Sequence, residues 1–492
     1  MSDTLATLQK ALAPKTGMRN IPFPVESYQH PSKPYNAKRL LNYAAEAGPP
    51  DSRSPFVLVP TPGLVVREQI GTGPWHAFNT NILGGFYVVS GGGLYRNTAA
   101  VTSYLGAVGT AVNPFPAGTT QTMVTIAVNA FAAVICVPPS LFYCYHAGPL
   151  VAIDTTGFPG GGAGSVTYVD GYWVATQYGT GQTFFISNLN DPTVWDALDF
   201  ASVEGMTNVL LRAVAHRGEL WLLGVAGGEI WYDAGAADFP FRRQSGGVIP
   251  YGFVAPSVAS IDGSLWWVTR DGTVIRSSGY QGKRVSTHAV EAITEAANPE
   301  LCYGAAYLQD GHSYYCVTFP DIGRTLCYDV ITEKWHDRSS SIDGSGPWRP
   351  LQIGRIGEEV YAGDVDGWMY RLDPKGGTDN GVTMFRQATL PPLYVDGHRV
   401  FCARAAVEME VGTSMLDANV TLDWSDDGGN SFAGGPRVMS SGAPGAFRKR
   451  VYTTRLGSFR ERMFRVTTRG RTTLYGVEAD ISAPASTSGA NS

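Results

Sequence analysis

A chain of 492 residues, 44% hydrophobic and only 16% charged, is long enough for two to four domains with real apolar cores. Its net charge of −5 excludes a uniformly basic nucleic-acid binder and leaves open a local basic patch. Fifty-nine Gly and 31 Pro alongside 24 Tyr and 11 Trp predict an all-β chain, many turns joining aromatic-rich strands.

The chain opens with Leu5, Leu8 and Leu12 on one helical face, without the basic start and apolar core of a signal peptide. Residues 1–55 read as a Pro-punctuated N-terminal arm with few strand signals, ending just before Phe56-Val-Leu-Val. Then one pattern recurs: an aromatic or β-branched run, a Gly/Asp/Pro turn, and a second run. The first runs begin at Phe86, Val134, Tyr172, Leu220, Leu265, Tyr314 and Val360, in steps of 48, 38, 48, 45, 49 and 46 residues. A blade of four antiparallel strands takes roughly 40–50 residues, so residues 56–376 are expected to form a β-propeller of about seven blades. The 38-residue step, beside a Pro-Pro-Ser turn at Pro138, is the irregular one. The stretch Met123 to Val137 is too short for a membrane helix and alternates as a strand does. From Val382 onward the strands lengthen, and residues 377–483 are expected to be a C-terminal β-sandwich, followed by a disordered tail at 484–492.

The six cysteines (136, 144, 302, 316, 327 and 402) lie mostly in apolar runs with no CxxC, which predicts buried thiols, no disulfide framework and no zinc site. Neither HExxH nor GxSxG occurs, and Gly160-Gly-Gly-Ala-Gly-Ser lacks the Lys of a phosphate-cradling loop. His216, His312, His336 and His398 adjoin turn residues and are expected to be solvated. Ser425, Asp427, Gly429 and Phe432 match an Asp-box, in which the carboxylate bonds turn amides and stabilises a hairpin. Together with the Trp and Tyr excess it supports an alternative reading, a carbohydrate-binding or sialidase-like propeller. The one charge feature above background is the run Arg448, Lys449, Arg450, Arg455, Arg460, Arg462, Arg465, Arg469 and Arg471, set against the single acid Glu461. It suits either a polyanion at the axis of a ring or a strand edge guarded by charge.

The whole chain resembles the packaged-DNA stabilisation, or tail hub, proteins of short-tailed bacteriophages. The likeness rests on Arg39-Leu-Leu-Asn-Tyr-Ala-Ala-Glu and Pro55-Phe-Val-Leu-Val-Pro-Thr-Pro-Gly near the start. At the end it rests on Trp424-Ser-Asp-Asp-Gly-Gly-Asn-Ser-Phe, Lys449-Arg-Val-Tyr, Phe464-Arg-Val-Thr and Leu474-Tyr-Gly-Val-Glu. Gly92-Gly-Leu-Tyr-Arg and Phe185-Ile-Ser-Asn-Leu-Asn-Asp-Pro fit the repeats between. These are structural turns and strands, so the resemblance implies a role and no reaction: a non-enzymatic virion tail component with no cofactor, metal or catalytic residue. It implies a homo-oligomeric ring, expected to be a hexamer, beneath the portal and head-to-tail adaptor. There it would retain genomic DNA without sequence specificity, bear needle, spike or fibre proteins, and touch no membrane. Folding and assembly are expected in the host cytoplasm.

Overall fold

The computed structural model describes residues 17–49, 51, 55–82, 85–98, 101–109, 123–158, 160–205, 209–394, 398–411, 419–441 and 447–482. The leucine face at 5, 8 and 12 and the tail at 484–492 lie outside the described residues. Two compact units result, one of residues 64–331 with 347–373, the other of 1–63, 332–346 and 374–492.

The first unit is a ring of antiparallel sheets. Trp75–Ile82, Gly85–Ser90, Gly93–Thr98 and Val101–Ala107 make the first, and Thr125–Val128, Ala132–Val137, Ser140–Tyr145 and Val151–Ile153 the second. The third, fourth and fifth begin at Ala163–Val169, Leu210–His216 and Ala259–Ile261, each with four strands. Tyr303–Gln309, His312–Phe319 and Arg324–Asp329 belong to the next, and Gln352–Ile356, Glu359–Gly363 and Trp368–Asp373 to the last. All seven repeat starts fall on the second strand of their own sheet, the irregular Val134 to Tyr172 step included. Hairpin chemistry places them there: Asp170-Gly171, Asp262-Gly263 and Asp310-Gly311 each take positive φ at both positions, as a two-residue turn between twisted strands requires.

Closure uses the strand that precedes the first sheet. Gly63–Gln69 pairs beside Trp368–Asp373 as the outer strand of the last sheet, so the two ends of the ring are hydrogen-bonded together. Ile70 N donates to Gly367 O (2.8 Å) and Trp75 N to Asp364 O (3.1 Å). Gly363 lies flat under the Trp75 indole, where any side chain would collide. Apolar side chains pack between the sheets: Val89, Leu94 and Ile135 join the first two, Phe184, Leu220 and Leu222 the third and fourth. Neighbouring strand residues point to opposite faces. Hence Trp267 stacks on Phe253 (4.6 Å between centroids) while Trp266 meets Tyr315 (5.6 Å) across the next gap. Trp221, Trp266 and Trp267 are therefore core, while Trp231 is half-buried.

Three expectations need correction. Cys316 and Cys327 sit directly opposite each other on adjacent strands, Cα atoms 4.1 Å apart, and are disulfide-bonded. Strand register brings them together, and nothing in their apolar contexts signals it. His216 and His336 are buried rather than solvated, and His312 bonds Asp329 Oδ2 at 2.8 Å. A nine-residue α-helix, His288–Ala296, interrupts the β pattern, capped by the Thr287 hydroxyl on Val290 N (3.4 Å). Its Thr-His-Ala-Val-Glu-Ala-Ile-Thr-Glu-Ala-Ala run, a cap followed by good helix formers, is the sequence signal that could have found it.

The second unit is a two-sheet sandwich. One sheet runs Tyr43–Ala47, Phe56–Pro60, Thr473–Ser482, Val400–Glu410, Lys449–Thr454, with Gly17–Ile21 also on Thr473–Ser482. The other carries Ala37–Leu41, Phe385–Thr389, Glu461–Arg469, Asn419–Ser425 and Gly434–Ser440. Leu40, Tyr43, Leu58, Val407, Leu422, Phe464, Val466 and Val477 fill the space between. Residues 17–60 are thus woven into the sandwich and are not a separate arm: short strands such as Ala37–Leu41 gain a buried face only from strands some 350 residues later. At their centre Arg386 is fully buried. It donates to Gly470 O (2.6 Å), Asn42 O (2.5 Å) and Thr61 O (2.9 Å), and burial draws its pKa down to about 9.

Candidate nucleic-acid interface

The two units differ in charge. The sandwich unit has 23 Lys and Arg against 18 Asp and Glu, the ring unit 14 against 24. The basic run from 448 to 471 lies wholly in the sandwich, and folding sorts its nine residues into two groups.

Arg462 belongs to the core. It is 2% exposed, its Nε and Nη2 engage both Asp426 oxygens at 2.6 and 2.7 Å, its Nη1 donates to Leu456 O, and Phe459 lies 4.4 Å from its guanidinium carbon. Arg465 forks onto Asp423 (Nε to Oδ1, 2.9 Å) and stacks over Phe432 at 4.0 Å. Arg450 pairs with Glu408 (3.6 Å) and Glu478. Arg469 lies half-buried over Phe385 (5.7 Å), and Arg471 is half-buried near Arg386. The single acid counted along the sequence is therefore joined in space by four more from neighbouring strands, and Arg450, Arg462 and Arg465 are structural cations.

Arg448, Arg455 and Arg460 are exposed, and Lys449 half-buried. Lys449–Thr454 is the edge strand of its sheet, the position at which a guarding charge would act. Arg455 and Arg460 stand elsewhere, at the end of the sandwich where the chain turns at Gly457. Arg455 N donates to Ala403 O (3.0 Å) and Cys402 N to Gly457 O (2.8 Å). The pairs Val400 to Phe459 and Tyr394 to Glu461 set Arg399 and Tyr394 beside Arg460. Exposed His398 and Arg399 thus share one end with Arg455, Arg460, Tyr394 (58% exposed) and Phe401 (48%). Cations interleaved with exposed aromatic rings suit a phosphate backbone. His398 is exposed, as its turn context predicts, whereas Arg399, Tyr394 and Phe401 escaped the sequence reading because their segment carries no charge run; strand pairing brings them beside Arg455 and Arg460.

The Asp-box is a turn and not a site. Ser425 Oγ accepts from Gly429 N (2.8 Å), and Asp427 takes Ser431 N at 2.9 Å and Ser431 Oγ at 2.6 Å. Hydrogen bonds from Ser425 and Ser431 hold the Asp427 carboxyl well below the usual carboxylate range. Gly429, at positive φ, leaves room for Ala37 and Met463 where a side chain would collide. Among the described residues no group of three His, Cys, Asp or Glu is placed to hold a metal ion.

Two family models match in chain order: "Bacteriophage P22 Gp10, beta-propeller" over residues 20–376 and "Bacteriophage P22 Gp10, beta-sandwich" over 386–482. No curated protein sequence matches significantly. Among solved structures, virginiamycin B lyase from Staphylococcus aureus is 11% identical with a TM-score of 0.43, covering 63% of this chain and 98% of that one. YCF48 from Cyanidioschyzon merolae is 10% identical at a TM-score of 0.41, covering 64% and 99%. Scores this low add nothing to the fold described above.

Proposed function

Because the chain belongs to the bacteriophage P22 Gp10 family, a family of phage DNA-stabilisation proteins, we propose that this virion structural protein forms the tail hub. Copies assemble as a ring, a hexamer in this reading, below the portal and its adaptor after packaging, retain the genome, and carry the distal tail parts. One observation carries the reading: both family models, propeller and sandwich, match in order over nearly the whole chain. The physical design agrees with it. Retention against outward pressure asks for stiffness and many interfaces rather than turnover, and closed sheets supply stiffness.

Non-specific retention also asks for cations without base-reading geometry, and the exposed group Arg399, Arg455 and Arg460 offers them. The buried Arg462 and the acid-paired Arg450 and Arg465 are withdrawn from that role.

The test is a phage lacking this chain, complemented in trans. We expect heads that package DNA and then lose it, with density for the hub missing beneath the portal in electron micrographs. Particles that keep their genome without the chain overturn the reading. Complementation with an R399E/R455E/R460E variant that assembles normally tests the cation group separately; genome retention equal to wild type removes these residues from the DNA contact and leaves the hub role standing.

A further inference from the structure

The innermost strands of the ring border an axial cavity of about 280 Å³, lined by residues of six sheets such as His76, Ile126, Thr167, Arg212, Tyr303 and Gln352, and by Pro256 and Val258 just before the fifth. Polar side chains of these strands mostly serve neighbouring main chains. Thr125 Oγ1 accepts from Val166 N (2.8 Å), Thr167 Oγ1 from Ala215 N (2.9 Å), and Gln352 Nε2 donates to His76 O (3.2 Å).

Arg212 is different. Its Nη1 donates to Ala255 O (2.9 Å) and Val258 O (3.1 Å), while its Nε is buried without a hydrogen-bond partner. Among the described residues no Asp or Glu lines the cavity. Burial lowers the guanidinium pKa to about 10, which leaves it charged at neutral pH. Arg212 is half-buried, with two carbonyl dipoles rather than a carboxylate as its partners, so an anion beside it would complete its hydrogen bonding. Across the same cavity His76, 8% exposed, has an Nε2 with no partner. Its imidazole is neutral, burial having drawn its pKa down to about 4. It therefore offers one donor and adds no second charge.

We propose that this axial cavity binds a small inorganic oxyanion, of the phosphate or sulfate class, on Arg212. A guanidinium presents paired N–H donors suited to a tetrahedral oxyanion, and the carboxylate-free lining adds no repulsion to an anion. The volume admits such an ion with a few waters and excludes a polymer. A neighbouring recess of about 480 Å³ shares Met123 and Pro256 with the cavity. A bound ion would tie inner strands of several sheets together, which links ring stability to anion concentration. The inference stands apart from the hub reading, since the ring alone carries it.

Equilibrium dialysis of the full chain with labelled inorganic phosphate, at fixed ionic strength, should give about one ion per chain, and R212M should weaken binding at least about tenfold. Crystals soaked in selenate should show anomalous density against Arg212, a readout that needs no variant. Absence of saturable binding in the wild-type chain, unchanged binding in R212M, or a selenate-free cavity each overturns the proposal.

Discussion

Arginines adjacent in sequence do different work, and substitution separates them. Replacing Arg462 by Met strips Asp426 of its partner and leaves Leu456 O unbonded; we expect about 3 kcal/mol lost in urea unfolding. Arg455→Ala should change stability by no more than about 0.5 kcal/mol, since the side chain is exposed. Equal losses for the buried and exposed positions would refute the sorting. Ser425→Ala should cost about 1–2 kcal/mol, because buried Gly429 N loses its acceptor, and it should leave DNA retention intact; a retention defect in a stable S425A protein would return the turn to the list of sites. His76 has a further signature. Its folded pKa of about 4 lies below the ordinary 6.5, so the unfolded chain takes up the proton first. Its contribution is fully present above about pH 6.5 and is lost as pH falls towards 4, and His76→Gln should flatten that part of the stability profile measured by denaturant titration.

At the scale of elements, the ring depends on what its innermost strands do with their open edges. Such a strand has a sheet neighbour on one side only, and here side chains of the next sheet take up the exposed main-chain groups: Ser165 Oγ accepts from Ala213 N (3.0 Å), and Asn79 Nδ2 donates to Ile126 O (2.7 Å). Ser165→Val removes an acceptor at the joint of the third and fourth sheets and leaves two groups short, Ala213 N and the Thr176 hydroxyl. We expect about 2–3 kcal/mol of destabilisation, with hydrogen exchange quickening at Ala213; unchanged protection there would show the joint is held by apolar packing alone. The repeat was legible because this chemistry is local. Asp-Gly turns, alternating strands and a blade-sized step lie within 50 residues of each other, so each of the seven starts could be read off its own neighbourhood. The helix His288–Ala296 was equally local and was overlooked because nine residues in a β-rich background do not disturb the composition.

For the whole molecule, the sandwich unit is net basic and the ring unit net acidic. If exposed cations hold DNA phosphates, binding of the purified chain to duplex DNA should weaken steeply with salt and be indifferent to sequence. R399E/R455E/R460E should lose most of it, whereas Arg469→Ala, whose guanidinium lies over Phe385, should lose little. Filter binding across a salt series checks both, and a flat salt response would count against a phosphate interface.

The sequence by itself determined the class of the fold, the positions of the repeated hairpins and the family, because turn residues, strand alternation and motif order are written in short windows. Tertiary structure alone decided that residues 17–60 complete the sandwich, that Cys316 meets Cys327, and that Arg462 is core while Arg455 and Arg460 are surface. The reason is strand register. A β-sheet joins residues hundreds of positions apart, so whether a charge meets a partner, a ring or water depends on neighbours that linear order does not name.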